Sequence, residues 1–238
     1  MEKIKGVILD LDGTLLDSMW VWEQIDIDFL ARRGLQVPED YVDAITPMGF
    51  YAAAEYTIHR FGFSQTPEEI IEEWKEMSRE VYASEVLCKK YVREALEFFQ
   101  KNGIHMTIAT ASHEELFIPC LKNNGIWEYF DSYSTMSEVK RGKGFPDIYE
   151  LAAKKIQCEP RQVIVFEDIV QGVQGARMGG FCTVGVHDSY SQHDEVNLRR
   201  EADYYMMDWS QLPAIYEDII KKQSNFNHHY NHLSQRAT

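Results

Sequence analysis

The sequence predicts an α/β protein, a doubly wound and mostly parallel sheet interrupted by an inserted α-helical cap. Three observations predict it. Short apolar runs bounded by polar or turn residues recur along the 238 residues, as strands buried on both faces do. Helical patterns alternate with these runs, the rhythm of strand–helix–strand crossovers. Between Asp17 and Val86 that rhythm stops, and helix signals crowd together without a convincing strand.

The strands are expected at Gly6 to Asp10, Met106 to Thr110, Tyr133 to Thr135, Val163 to Glu167 and Thr183 to Val186, with a weaker one at Tyr204 to Met206. Helices are expected at Val92 to Asn102, closed by Gly103, and at Glu114 to Asn124, closed by Gly125. Two more are expected at Asp147 to Ile156, where Pro146 suits the first turn, and at Val173 to Met178, ended by Gly179-Gly180. Pro119 predicts a kink in the second of the four.

In the strand-free interval, Ser18 to Arg33 ends at Gly34 and Phe50 to Phe61 ends at Gly62. Thr66-Pro67-Glu68-Glu69 has the spacing of a capping box that opens a helix to about Ser84. About seventy residues of helix after the first strand form a bundle of their own by helix-packing logic. Their place is over the carboxyl edge of the sheet, where ligands bind in open α/β sheets. The division is therefore residues 1–16 and 87–222 as the α/β core and 17–86 as the cap. Residues 223–238, polar and rich in Asn and His, are expected to form a mobile tail.

Composition narrows the function. Hydrophobic residues make up 45% of the chain, enough for a real core. The net charge of −14 repels nucleic acid and anionic membrane surfaces, so neither is an expected partner. No apolar stretch reaches the length of a membrane span, and the start has no signal-peptide pattern. Cys88, Cys120, Cys158 and Cys182 lie far apart, as reduced thiols in a cytoplasmic protein do. A monomer is the default expectation.

Four clusters carry chemistry, each at the end of an expected strand or just before a helix. Asp10-Leu11-Asp12-Gly13-Thr14-Leu15-Leu16-Asp17-Ser18 follows the first strand. Two carboxylates two residues apart leave the strand toward one side, and Gly13 permits a tight turn. Thr110-Ala111-Ser112-His113 sets a hydroxyl before a helix N-terminus, where phosphate oxygens bind. Ser112 with Glu115 equally has the spacing of a capping box. Lys143 stands in the loop before a helix. Glu167-Asp168 ends another apolar strand, where adjacent acids are costly unless paired or metal-bound. Gly172, Gly175, Ala176 and Gly179 beyond it are small, as close helix-to-sheet packing requires.

These clusters converge on a metal. A like-charge pair at 4 Å costs about 4 kcal/mol at an effective dielectric of 20. Asp10, Asp168 and a phosphate dianion therefore need added cations. Lys143 and Mg2+, a hard oxygen-seeking ion, supply them.

The residues resemble the haloacid dehalogenase superfamily, in its helical-cap phosphatase and β-phosphoglucomutase-like branch. The nine residues from Asp10 to Ser18 carry most of the likeness, with Thr110, Lys143 and Glu167-Asp168 in matching order over roughly residues 4 to 210. The resemblance implies a Rossmann-like core and a magnesium-dependent phosphatase acting on a small phosphorylated metabolite, a sugar or nucleoside phosphate. It implies Asp10 as nucleophile and Asp12 as general acid, then base, the apolar cover over Asp12 holding it protonated. It implies magnesium on Asp10, Asp168, the Asp12 carbonyl and Glu167, and a phosphoryl group gripped by Thr110, the adjoining Ala111 and Lys143. An aspartate at position 12 argues against dehalogenation, where no leaving oxygen needs a proton.

Three departures bear on substrate. Trp22 stands where the mutase pattern has histidine, Gly49-Phe50-Tyr51-Ala52 where it has Gly-Xaa-Ser-Arg, and His113 where it has lysine. A mutase must hold a second phosphate by fixed positive charge, so hydrolysis is favoured and phosphomutase is the alternative. A receiver-type phospho-acceptor domain also combines Asp, a hydroxyl, Lys and magnesium, but predicts about half this length and no insertion. Trp20, Glu23, Phe50, Tyr51 and His113 are the candidate specificity residues, with Trp22 and Met48 beside them. Buried core of the cap is the competing expectation for the aromatic ones.

Overall fold

The computed structural model describes residues 3–222. Six parallel strands form one sheet in the order β5-β4-β1-β6-β7-β8. They are β1 (Gly6–Leu9), β4 (His105–Thr110), β5 (Ser132–Thr135), β6 (Val163–Glu167), β7 (Cys182–Val186) and β8 (Tyr204–Met206). Alternate side chains feed opposite faces: Val7, Leu9, Ile164 and Phe166 enter one core, and Ile8, Val163 and Val165 the other. Both faces are buried, which is why these strands read as continuous apolar runs.

The helices of the core are α5 (Val92–Lys101), α6 (Glu114–Asn123), α7 (Asp147–Lys155), α8 (Val170–Met178) and α9 (Glu195–Glu201), and residues 212–222 are also helical. Pro119 lies inside α6, which runs through it as one helix. Helix α8 begins at Val170, three residues before the expected start, and α9 and the 212–222 helix have no counterpart among the expected elements.

The cap comprises α1 (Met19–Ala31), α2 (Tyr41–Ile45), α3 (Phe50–Phe61) and α4 (Pro67–Ser84). The capping box forms: Glu69 N–H donates to Thr66 Oγ1 at 3.3 Å, and Thr66 N–H donates to Glu69 Oε2 at 2.8 Å. Phe29, Phe50 and Trp74 pack edge to face at its centre. A two-stranded antiparallel ribbon, β2 (Leu16–Asp17) with β3 (Leu87–Cys88), closes the base of the cap. The sequence reading has no strand there, since two residues carry no periodicity.

Strand order explains where a ligand sits. From β1 the chain passes to β4 and β5 on one side, then returns to β6 on the other. Its direction of winding reverses beside β1, and open α/β sheets bind ligands outside the carboxyl ends at such a point. The expected tail, 223–238, lies outside the described residues. Among the described residues, no helix is long and apolar enough to cross a membrane, and all four cysteines are free.

Candidate active site

Asp10 follows β1 at that reversal and is 4% exposed. Lys143 Nζ donates to Asp10 Oδ1 and lies 2.8 Å from Glu167 Oε1. Thr14 Oγ1 bridges the acids, 3.3 Å from Asp10 Oδ2 and 3.0 Å from Asp168 Oδ1. Asp10, Glu167 and Asp168 each bring an oxygen within 4.8 Å of the others. The loop that makes this possible turns at Gly13, whose φ is +76° and where a Cβ would lie 2.3 Å from Asp168 Oδ2. Only glycine suits both demands.

Burial dominates the electrostatics. It pushes Asp168 well above the usual carboxylate range, with Asp10 and Glu167 adding to the effect. Burial also pushes Glu167 up to about 7, against the pull of Lys143. For the Lys143 ammonium, burial acts downward, but Asp10 and Glu167 outweigh it and hold the group above its ordinary value. Tyr149 donates to Glu167 Oε1 at 2.7 Å, whereas Glu167 Oε2 is buried without a partner.

Asp12 has a different setting. Its Oδ1 accepts from Ser18 Oγ at 2.5 Å, Tyr82 OH at 2.7 Å and Trp22 Nε1 at 3.0 Å. Burial still raises its pKa against these three donors. The cover over Asp12 is thus polar as well as apolar, and two of the donors come from cap helices α1 and α4. With Oδ1 committed as acceptor, Oδ2 is the oxygen left to carry a proton.

Thr110 ends β4, and its Oγ1 accepts from Ser112 N–H at 3.0 Å, which leaves its own proton free to donate. The capping-box reading of Ser112 does not hold. His113 caps α6 instead, Nδ1 accepting from Glu115 N–H at 3.4 Å. The Ser112 hydroxyl is buried without a hydrogen bond of good geometry, with the Tyr82 phenol as a weak polar neighbour.

Sequence comparison decides the family. The model of the haloacid dehalogenase-like hydrolases matches residues 7–186. This chain belongs to that family. It is 26% identical to the phosphorylated carbohydrates phosphatase of Thermotoga maritima over 177 residues, covering 74% of this chain and 82% of that protein. It is 27% identical to the fructose-1-phosphate phosphatase of Escherichia coli over 185 residues, covering 78% of this chain and 97% of that protein. The β-phosphoglucomutase structure from Clostridium difficile superposes with a TM-score of 0.78 at 18% identity, over 93% of this chain and 99% of that one. That likeness is one of fold.

The haloacid dehalogenase-like core suits a divalent cation here. Three carboxylates against one ammonium leave two uncompensated negative charges when all are ionised, and one divalent ion offsets them. Glu167 Oε2, buried and unpartnered, is a free oxygen of the kind a hard cation takes.

A cavity of about 590 Å³ lies between these residues and the cap. Asp10, Asp12, Thr110, Ala111, Lys143 and Asp168 line its floor, and Glu23, Trp22, Met48 and Phe50 line its cap side. Trp20, Tyr51 and His113 do not line it, contrary to expectation. Trp20 donates from Nε1 to Asp17 O at 3.0 Å, Tyr51 is 52% exposed on the outer face of α3, and His113 serves as helix cap. Sequence reasoning missed Tyr82 and Lys89. Lys89 Nζ donates to Gly13 O and to His187 O at 2.8 Å and pairs with Asp188 at 2.7 Å, tying down the Asp10–Ser18 loop. Trp209 Nε1 donates to Thr14 O at 3.1 Å and holds the same loop from the far end of the chain.

Proposed function

We propose that this chain is a magnesium-dependent phosphatase that hydrolyses a small phosphomonoester of sugar type through an aspartyl-phosphate on Asp10. One observation carries the reading. At the winding reversal of the sheet, Asp10 is held against Lys143 beside Glu167 and Asp168, on the floor of a cavity roofed by the cap. Phosphatase relatives, named for phosphorylated carbohydrates and fructose 1-phosphate, favour a sugar phosphate over a nucleoside phosphate.

A carboxylate oxygen of Asp10 attacks phosphorus in line, and the ester P–O bond breaks. Asp12, protonated on Oδ2, gives its proton to the departing alkoxide oxygen. A water then yields a proton to Asp12 and attacks the same phosphorus, breaking the bond to Asp10 and releasing phosphate. Lys143 and the Thr110 hydroxyl hold the transferring oxygens. Asp10, Glu167 and Asp168, with the Asp12 carbonyl, would hold magnesium. The ion supplies the positive charge that lets the acids and a phosphoryl dianion share the site. Hydrolysis is preferred to phosphomutase chemistry because, among the described residues, the cavity offers no fixed cation for a second phosphate. Beyond Lys143, the one basic side chain among the described residues of its wall is His193, which lies 3.1 Å from Asp43.

The test is phosphate release from a panel of phosphomonoesters with and without magnesium. Wild-type protein is expected to release phosphate only with the metal, and Asp10→Asn to fall to background. Release that survives in Asp10→Asn, or in excess chelator, would sink the reading.

A further inference from the structure

Five acids are buried among the described residues: Asp10, Asp26, Glu167, Asp168 and Asp188. Four of them have partners in the chain. Asp10 has Lys143 and Thr14, Glu167 has Lys143 and Tyr149, Asp168 has Thr14 and Ser191, and Asp188 has Lys89. Asp26 has none. It is 8% exposed, stands one turn after Trp22 on α1, and faces the cavity with neither hydrogen bond nor ion pair among the described residues. A buried carboxylate without a donor is costly, so a partner from outside the chain is the natural remedy.

The surroundings define that partner. Trp22, Phe50 and Trp74 make a contiguous aromatic wall beside Asp26, with ring centroids 5.6 and 6.1 Å apart. Such faces pack against the C–H surface of a sugar or polyol, or against an ammonium group. The charged groups elsewhere on the wall are acids, Glu23, Asp43 and Asp194, and His193 is beside Asp43. A second phosphate or a carboxylate on the substrate would meet like charge and, among the described residues, no free cation.

We propose that Asp26 is a specificity residue that accepts a hydrogen bond from a donor group on the leaving-group half of the substrate. The substrate class is then a monophosphate that carries hydroxyl or amino donors and no second anionic group. This rests on the phosphatase reading above and adds the chemistry of the part that leaves.

The experiment compares kcat/KM on five probes with magnesium: sorbitol 6-phosphate, glucosamine 6-phosphate, 2-phosphoglycolate, fructose 1,6-bisphosphate and p-nitrophenyl phosphate. The last has no donor on its leaving group. Wild type is expected to prefer the first two over phosphoglycolate and the bisphosphate. In Asp26→Ala, the ratio of kcat/KM on the better donor probe to that on p-nitrophenyl phosphate is expected to fall at least about tenfold, mostly through KM, the scale of a lost charged hydrogen bond. Asp26→Asn keeps a carbonyl acceptor and separates the sources. A hydroxyl donor predicts partial recovery of the ratio, and an ammonium predicts none. The proposal is overturned if the anionic probes are preferred, or if Asp26→Ala lowers all rates in proportion. If wild type releases phosphate from no probe, the phosphatase reading fails and takes this one with it. If it turns over p-nitrophenyl phosphate but the ratios do not move, only the role of Asp26 fails.

Discussion

Asp26 also costs the fold stability, and the sign of that cost can be checked. Burial raises its pKa from 3.8 to about 7, and no donor among the described residues offsets this. The neighbour that feels it is Tyr41, whose phenol is neutral and engaged with Thr57 at 2.8 Å. A carboxyl whose folded pKa is raised binds its proton more tightly when folded. Its contribution is therefore fully present below about pH 4 and is lost as pH rises through about 7. About three pH units correspond to at most about 4 kcal/mol. Asp26→Asn never ionises, so it is expected to match wild type in urea unfolding at pH 4 and to exceed it at pH 8. An equal gain at both values, or a loss at pH 8, contradicts the assignment. The Asp12 carboxyl, also raised by burial, differs in having three donors on one oxygen, so its proton has a defined place.

At the scale of elements, helix α8 fixes the lysine loop by contact. A Cβ on Gly175 would lie 2.0 Å from Lys143 O and 2.9 Å from Phe145 N. Backbone is a poor neighbour to push, so Gly175→Ala must displace the loop or the helix. Overpacking of this kind costs typically 1–3 kcal/mol. The variant is expected to melt lower and, in the fraction that remains folded, to lose kcat on every substrate because Lys143 is carried away from Asp10. An unchanged Tm and kcat would place α8 farther from the loop than it is here. The small residues of α8 were legible in the sequence, as were the strands whose two-sided burial leaves apolar runs. Less legible were the β2–β3 ribbon, too short for any period, and α2, a single five-residue turn. The helix over 212–222 is another matter. Leu212, Ile215, Tyr216, Ile219 and Ile220 carry a full helical period, a signal present but absent from the expected elements. Within the site, the acids and Lys143 could be picked out because buried strand ends make charge conspicuous. Tyr82 could not, because it reaches Asp12 across 70 residues of chain from an ordinary amphipathic helix. Tyr51 and Phe50 are neighbours in sequence but stand about 100° apart around α3, so that Phe50 lines the cavity and Tyr51 is exposed, which only the rotation of α3 decides.

At the scale of the whole molecule, the net charge of −14 is spread over a chain with 38 acids and 24 Lys and Arg, but three of the acids are buried with oxygens within 4.8 Å of one another. With Lys143 alone to offset them and no divalent ion, they oppose the fold, as the upward shifts of Glu167 and Asp168 indicate. A ligand that binds only the folded state stabilises it by about 2.7 kcal/mol at one hundred times its Kd. For a chain of this size that raises Tm by roughly 5–10 °C. Magnesium is therefore expected to raise the Tm of wild type by about that much at constant ionic strength, and sodium chloride matched for ionic strength to raise it far less. Asp168→Asn removes both a ligand and a like charge. It is expected to melt at or above wild type without metal and to gain almost nothing from magnesium, so that the order of the two proteins reverses as the metal is added. Parallel gains in both would assign the effect to general screening of a very acidic surface, and the carboxylate cluster would lose its claim to the ion.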